Sequence, residues 1–129
     1  MGKIERFEDI DALKKARELT KAIYKVTVQE KIATDFSLKD QLRRASLSIM
    51  ANIAEGFERE GNKEFRQFLA QAKGSVGEVK SLLYVALDAG LTSSEQFQQI
   101  TALADDTSRL LAGFLRYLKV TDKKGSKFK

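Results

Sequence analysis

Arg44, Ser48, Asn52 and Glu55 recur at spacings of four, four and three within "QLRRASLSIMANIAEGFERE", residues 41–60. On a helix such positions share one side, so a guanidinium, a hydroxyl, an amide and a carboxylate line up. Three uses fit that set: a catalytic site, a nucleic-acid-reading face, or a network that fixes how helices pack. At about 100° per residue, Gln41 joins the four within an arc of roughly 80°. The arc lies beside the apolar stripe of Leu42, Ala45, Ile49 and Ile53, not opposite it. An unpaired carboxylate or amide is costly in such a half-buried place, so partners are expected. Arg44 calls for a carboxylate. Ser75 and Glu78, on a later helical run, are candidates to complete the network.

Chemistry has little to work with. The chain contains no His and no Cys. That excludes disulfides and Cys-based zinc sites, along with the usual general base near neutral pH. A two-metal carboxylate site in a helix bundle uses Glu-x-x-His pairs, which this sequence cannot form. Ser48 and Ser75 have no evident base to activate them. Glu55 with Glu78 could act as a carboxylate pair, although a packing network accounts for them equally. The expectation is a protein that is not an enzyme, with no cofactor and no metal.

Four long periodic segments must position these residues. The first covers Ile10 to about Val28, with Asp9 or Asp11 as its cap and Phe7 packing just outside. The second starts at Ser37, read as an N-cap with Asp40 three places on. The third runs from Lys63 to about Ala89 with Asn62 as cap, and Gly90 is placed to end it in a left-handed conformation. The fourth opens at "TSSE", residues 92–95, capped by Thr92, Ser93 or Ser94, and ends near Lys119. Gly74 and Gly77 fall inside the third run, where each costs about 1 kcal/mol relative to alanine; close approach of a neighbouring helix is the expected reason. Nothing alternates as a strand does. The fold class is therefore all-α, an antiparallel up-down-up-down four-helix bundle over residues 1–120. Residues 121–129 are expected to be a basic, disordered tail.

Net charge is +5, unevenly spread. Residues 119–129 carry five Lys against one Asp, so the rest of the chain is nearly balanced. Basic segments attract nucleic acid without sequence specificity. The candidates for such contacts are Lys14, Lys15, Lys21 and Lys25 on the first helix, then Arg43, Arg59 and Arg66, then Lys123, Lys124 and Lys127. Leu47, Met50, Phe57, Leu82, Tyr84 and Tyr117 point to a second apolar strip, which favours self-association. No stretch approaches the roughly 20 apolar residues of a membrane span, and no signal peptide is evident. The cytoplasm is the expected location.

Residues 38–80 carry a recognisable pattern: Gln41, Arg43-Arg44-Ala45, Ser48-Ile49, Asn52-Ile53-Ala54-Glu55-Gly56, Phe68-Leu69, Ala72, Gly74-Ser75 and Glu78. It resembles that of the bacterial four-helix-bundle family that includes proteins encoded in intervening sequences of 23S ribosomal RNA genes. "FEDIDALKKARELT" and "GLTSS" fit as well, so the resemblance spans nearly the whole chain. Where the family has Phe-Pro after its first helix, this chain has "VQEKIATDF" and no proline. The resemblance implies a homo-oligomer, a ring of five, with no established catalytic activity. The accessory protein of diversity-generating retroelements is similar in fold; it forms a pentameric barrel that binds nucleic acid and partners a reverse transcriptase. Structured RNA, or an RNA–protein complex, is accordingly the expected partner. The alternative is an oligomeric scaffold or adaptor for a protein partner.

Overall fold

The computed structural model describes residues 4–123. After a 3-10 turn at Phe7–Asp9, five α-helices follow: α1 (Asp11–Thr27), α2 (Glu30–Ala33), α3 (Phe36–Glu58), α4 (Asn62–Asp88) and α5 (Ser94–Lys123). The four long ones form the expected antiparallel bundle. Helix α3 packs against α1 and α4, and α5 packs against α4 and α1, which closes the square. Each helix therefore lies beside its neighbour in the chain, as short connections require.

Apolar residues at helical spacing make the core. Leu13, Ala16, Leu19 and Ile23 of α1 meet Leu42, Ile49 and Ile53 of α3, Leu69, Val76 and Leu83 of α4, and Ala104, Leu111 and Leu118 of α5. Each fully buried Leu or Ile contributes about 1.5–3 kcal/mol. Phe65 joins three helices at one end: its ring meets Phe57 of α3 edge-on at 6.1 Å and Phe114 of α5 at 5.2 Å. Buried hydroxyls are satisfied locally, with Thr27 and Thr107 donating to the carbonyls of Ile23 and Leu103 one turn back.

Connection 28–35, whose shape the sequence leaves open, winds into the single turn α2. Ile32 anchors it with its side chain fully buried. Gln96 Nε2 donates to Gln29 Oε1 at 2.9 Å, tying this connection to the start of α5.

Helix starts differ from the sequence reading in three places, and α5 runs on to Lys123, past the expected end near Lys119. Ile10 occupies the N-cap of α1 with no side-chain bond, so neither Asp9 nor Asp11 caps it. Asp35, not Ser37, caps α3, accepting from Leu38 N at 3.0 Å. Helix α4 begins at Asn62 itself, after Gly61 at φ 93. In each case the cap is whichever residue first leaves helical dihedrals, and residue type alone does not locate that point. At α5, Ser93 is the cap, accepting from Gln96 N at 3.1 Å. Gly90, at φ 72, ends α4 as expected. Leu91 N–H donates to Ala86 and Gly90 N–H to Leu87, the paired bonds of a Schellman motif.

The glycines sort themselves by position. A Cβ on Gly56 would lie 2.7 Å from Phe68 Cβ and 2.9 Å from Phe65 Cδ1, so α3 and α4 approach closely here. At Gly74 and Gly77 a Cβ would meet nothing within 4 Å. The close approach expected at those two residues is absent within the bundle, because both lie on the exposed face of α4.

Candidate nucleic-acid interface

Three members of the polar set come together. Ser48 Oγ and Ser75 Oγ stand 3.0 Å apart across the α3–α4 seam. Asn52 Nδ2 donates to Ser48 O at 2.8 Å and to Ser48 Oγ at 3.1 Å. All three residues are half-buried, so the cluster fixes the register of two helices at modest cost. Arg44, Gln41 and Glu55 are exposed and bond within their own helix: Arg44 Nε to Asp40 at 2.8 Å, Gln41 to Ser37 Oγ at 3.0 Å, and Glu55 to Arg59 at 3.5 Å. Glu78 is exposed and makes no ion pair with any described residue. Serine hydroxyls bonded to each other and to an amide have no base to deprotonate them. Among the described residues, no group of three or more His, Cys, Asp or Glu could hold a metal ion, and no helix is long and apolar enough to cross a membrane.

The cations divide into engaged and open ones. Arg43 is half-buried, its guanidinium 4.5 Å from the centre of the Tyr24 ring and its Nε donating to Thr27 Oγ1 at 2.9 Å. It braces α3 against α1. Arg59 stacks over Phe68 at 5.0 Å. Lys15 pairs with Glu18 at 3.3 Å, and Lys14 reaches Asp11 at only 3.9 Å. Lys21 and Lys25 are exposed, with no carboxylate partner among the described residues. Lys124, Lys127 and the side chain of Lys123 lie outside the described residues, as does most of the expected tail.

Two sequence candidates line cavities among the described residues, Lys25 a small one of about 130 Å³ beside Gln29 and Gln96, and Arg66 a larger one. A groove of about 480 Å³ runs between the start of α4 and the end of α5, lined by Lys63, Arg66, Arg116 and Lys119 with Ala70 and Leu115 between them. None of its lining residues is acidic. Lys63, Arg116 and Lys119 were not among the residues singled out from the sequence. The available signal was a pair of basic residues one turn apart on each helix, 63 with 66 and 116 with 119. Only the antiparallel pairing of α4 and α5 puts the two pairs side by side.

Of the residues expected to form an outer apolar strip, Leu47 and Tyr84 are 47% and 54% exposed, and Val85 adds a third at 51%. Met50, Phe57, Leu82 and Tyr117 instead pack against the core.

The family model described as 23S rRNA-intervening sequence protein matches residues 8–113. A protein of unknown function from the S23 ribosomal protein family of Bacteroides thetaiotaomicron has a similar solved structure, with a TM-score of 0.74 at 24% identity. The match covers 81% of this chain and 97% of that one, and at that identity it speaks for the fold. No curated protein matches the sequence.

Proposed function

The chain belongs to the 23S rRNA-intervening sequence protein family, and from that premise we propose a non-enzymatic, cytoplasmic homo-oligomer that binds structured RNA through its basic surface. The observation that carries this reading is the set of exposed cations with no carboxylate partner among the described residues, Lys21, Lys25, Lys63, Arg116 and Lys119 included. Such charges release counterions from a phosphate backbone and give binding that weakens steeply with salt. Contacts of this kind read shape rather than base sequence. Assembly, itself part of the proposal, would strengthen such a surface, because a modest positive patch repeated by symmetry focuses potential. A ring of five is the number implied by the family likeness, and the retroelement accessory protein is the fold-level analogue for nucleic-acid binding.

A second reading, a scaffold for a protein partner, draws on the exposed Leu47, Tyr84 and Val85 and on the open Gly74 and Gly77. Titrating a labelled RNA hairpin with the full chain at about 50 and about 200 mM salt separates the two. No binding at the lower salt refutes the RNA reading and leaves the scaffold. Light scattering after size exclusion tests assembly; a stable monomer at micromolar concentration refutes that part.

A further inference from the structure

Resting on the RNA reading above, the geometry points to the α4–α5 groove as the seat of the RNA backbone: we infer that Lys63, Arg116 and Lys119 hold successive phosphates of one strand there. The groove has four cations and no acidic lining residue, an unusual concentration in a chain whose charges are otherwise nearly balanced. Elsewhere on the surface, basic side chains are repeatedly neutralised by a carboxylate three or four residues away. Here Lys63, Arg116 and Lys119 are exposed with no such partner among the described residues.

Shape separates the possible anions. A lone phosphate is held by donors that converge on one point. In this groove the cations stand in two rows, one on each helix, with members of a row about 4.5 Å apart along the axis. That arrangement suits a charge that repeats along a chain. Arg116 adds a planar fork that matches phosphate oxygens. Besides the cations the lining is Gln67 with the apolar Ala70 and Leu115, a surface that accepts the faces of ribose rings better than the polar backbone of an acidic peptide.

The test compares the full chain with two triple variants, using a fluorescein-labelled RNA hairpin and anisotropy at about 50 and about 200 mM salt. The groove variant is Lys63→Gln, Arg116→Gln and Lys119→Gln, with half-buried Arg66 left intact. The control is Arg17→Gln, Lys31→Gln and Lys39→Gln, on α1, α2 and α3. Among the described residues none of the six positions has an ion pair, and all but Lys39, whose ammonium lies over the Phe36 ring, are exposed, so folding is checked by a melting curve. The groove variant is expected to bind about tenfold or more weakly at the lower salt, with a salt slope shallower by about 2 to 3. The control is expected to change affinity less than about threefold. Wild-type binding with an unaffected groove variant, or equal losses in both variants, overturns the groove assignment while leaving RNA binding intact. Loss confined to a chain lacking residues 124–129 overturns it as well. Displacement of the hairpin by poly-glutamate as readily as by unlabelled RNA makes the groove a site for acidic protein and overturns the RNA assignment. Should the triple variant melt early, the single reversal Lys119→Glu serves in its place with the same two outcomes. Absence of wild-type binding, by contrast, refutes the broader reading on which the inference rests.

Discussion

Gly56→Ala and the same substitution at Gly74 or Gly77 are chemically identical and should have opposite effects. In a helix interior, alanine is favoured over glycine by about 1 kcal/mol, and at Gly74 and Gly77 nothing lies within 4 Å of the added methyl. Each of those variants is expected to gain about 0.5–1 kcal/mol. At Gly56 the methyl would arrive 2.7 Å from Phe68 Cβ, against an ordinary contact of 3.4 Å or more. Phe68 Cβ moves only with its backbone, so α3 and α4 would have to separate by about 0.7 Å. The second obstacle, the Phe65 ring, is wedged between Phe57 and Phe114. Overpacking of this kind costs about 1–3 kcal/mol, and the fixed Phe68 contact puts Gly56 in the upper part of that range. Net destabilisation should be about 1–2 kcal/mol, after the propensity gain. Urea unfolding followed by far-UV circular dichroism reads this as a lower midpoint at unchanged slope. It should be run at two protein concentrations, since assembly adds a concentration-dependent term. A Gly56→Ala protein as stable as wild type would refute the close-contact argument. Loss of oligomer mass in Gly74→Ala or Gly77→Ala, with the single chain still folded, would show that a second copy covers that face.

Three further outcomes follow from the polar groups. Asn52→Ala is expected to cost about 0.5–1 kcal/mol, two bonds to Ser48 being partly offset by alanine's helix propensity; unchanged melting together with unchanged mass would refute it. Arg43→Ala should cost about 1–2 kcal/mol through the lost Tyr24 stacking and Thr27 bond and leave hairpin-RNA affinity within about twofold, so a large drop in affinity with normal melting would show Arg43 contacting RNA. Asn62 is 3% exposed, and neither its Nδ2 nor its Oδ1 has a described hydrogen-bond partner; Asn62→Ala is therefore expected to be neutral or stabilising by up to about 1 kcal/mol, and a clear loss in thermal melting would reveal a partner for it.

The bundle was readable because each long helix repeats its apolar residues at the helical period, and such stripes have to meet one another. Less was readable wherever the answer depends on which neighbour faces a residue. Gly56, Gly74 and Gly77 look alike in the sequence, yet only Gly56 is turned toward a facing helix. The polar stripe shows the same limit. Ser48 reaches Ser75 of α4, while Asn52 bonds back to Ser48, and Arg44 and Glu55, a few tens of degrees further round, pair along their own segment. The α4–α5 groove was hidden for a different reason. Its basic pairs are some fifty residues apart in the chain, and each alone is an ordinary solvated turn. Caps were misplaced by one or two residues, because Asp35, Ser37 and Asn62 are all acceptable cap types and backbone dihedrals decide among them.

The square order of the helices also sets an order of events. Three of the four seams, α1–α3, α3–α4 and α4–α5, join segments separated by short turns, and closing short loops costs little entropy. The fourth seam, α1–α5, spans almost the whole chain. A chain with this topology can form its hairpins as each helix leaves the ribosome, and its mostly local contacts favour rapid folding. The bundle is sealed only when α5 arrives, so until then Leu19 and Ile23 on α1 and Val76 and Leu83 on α4 lack part of their cover.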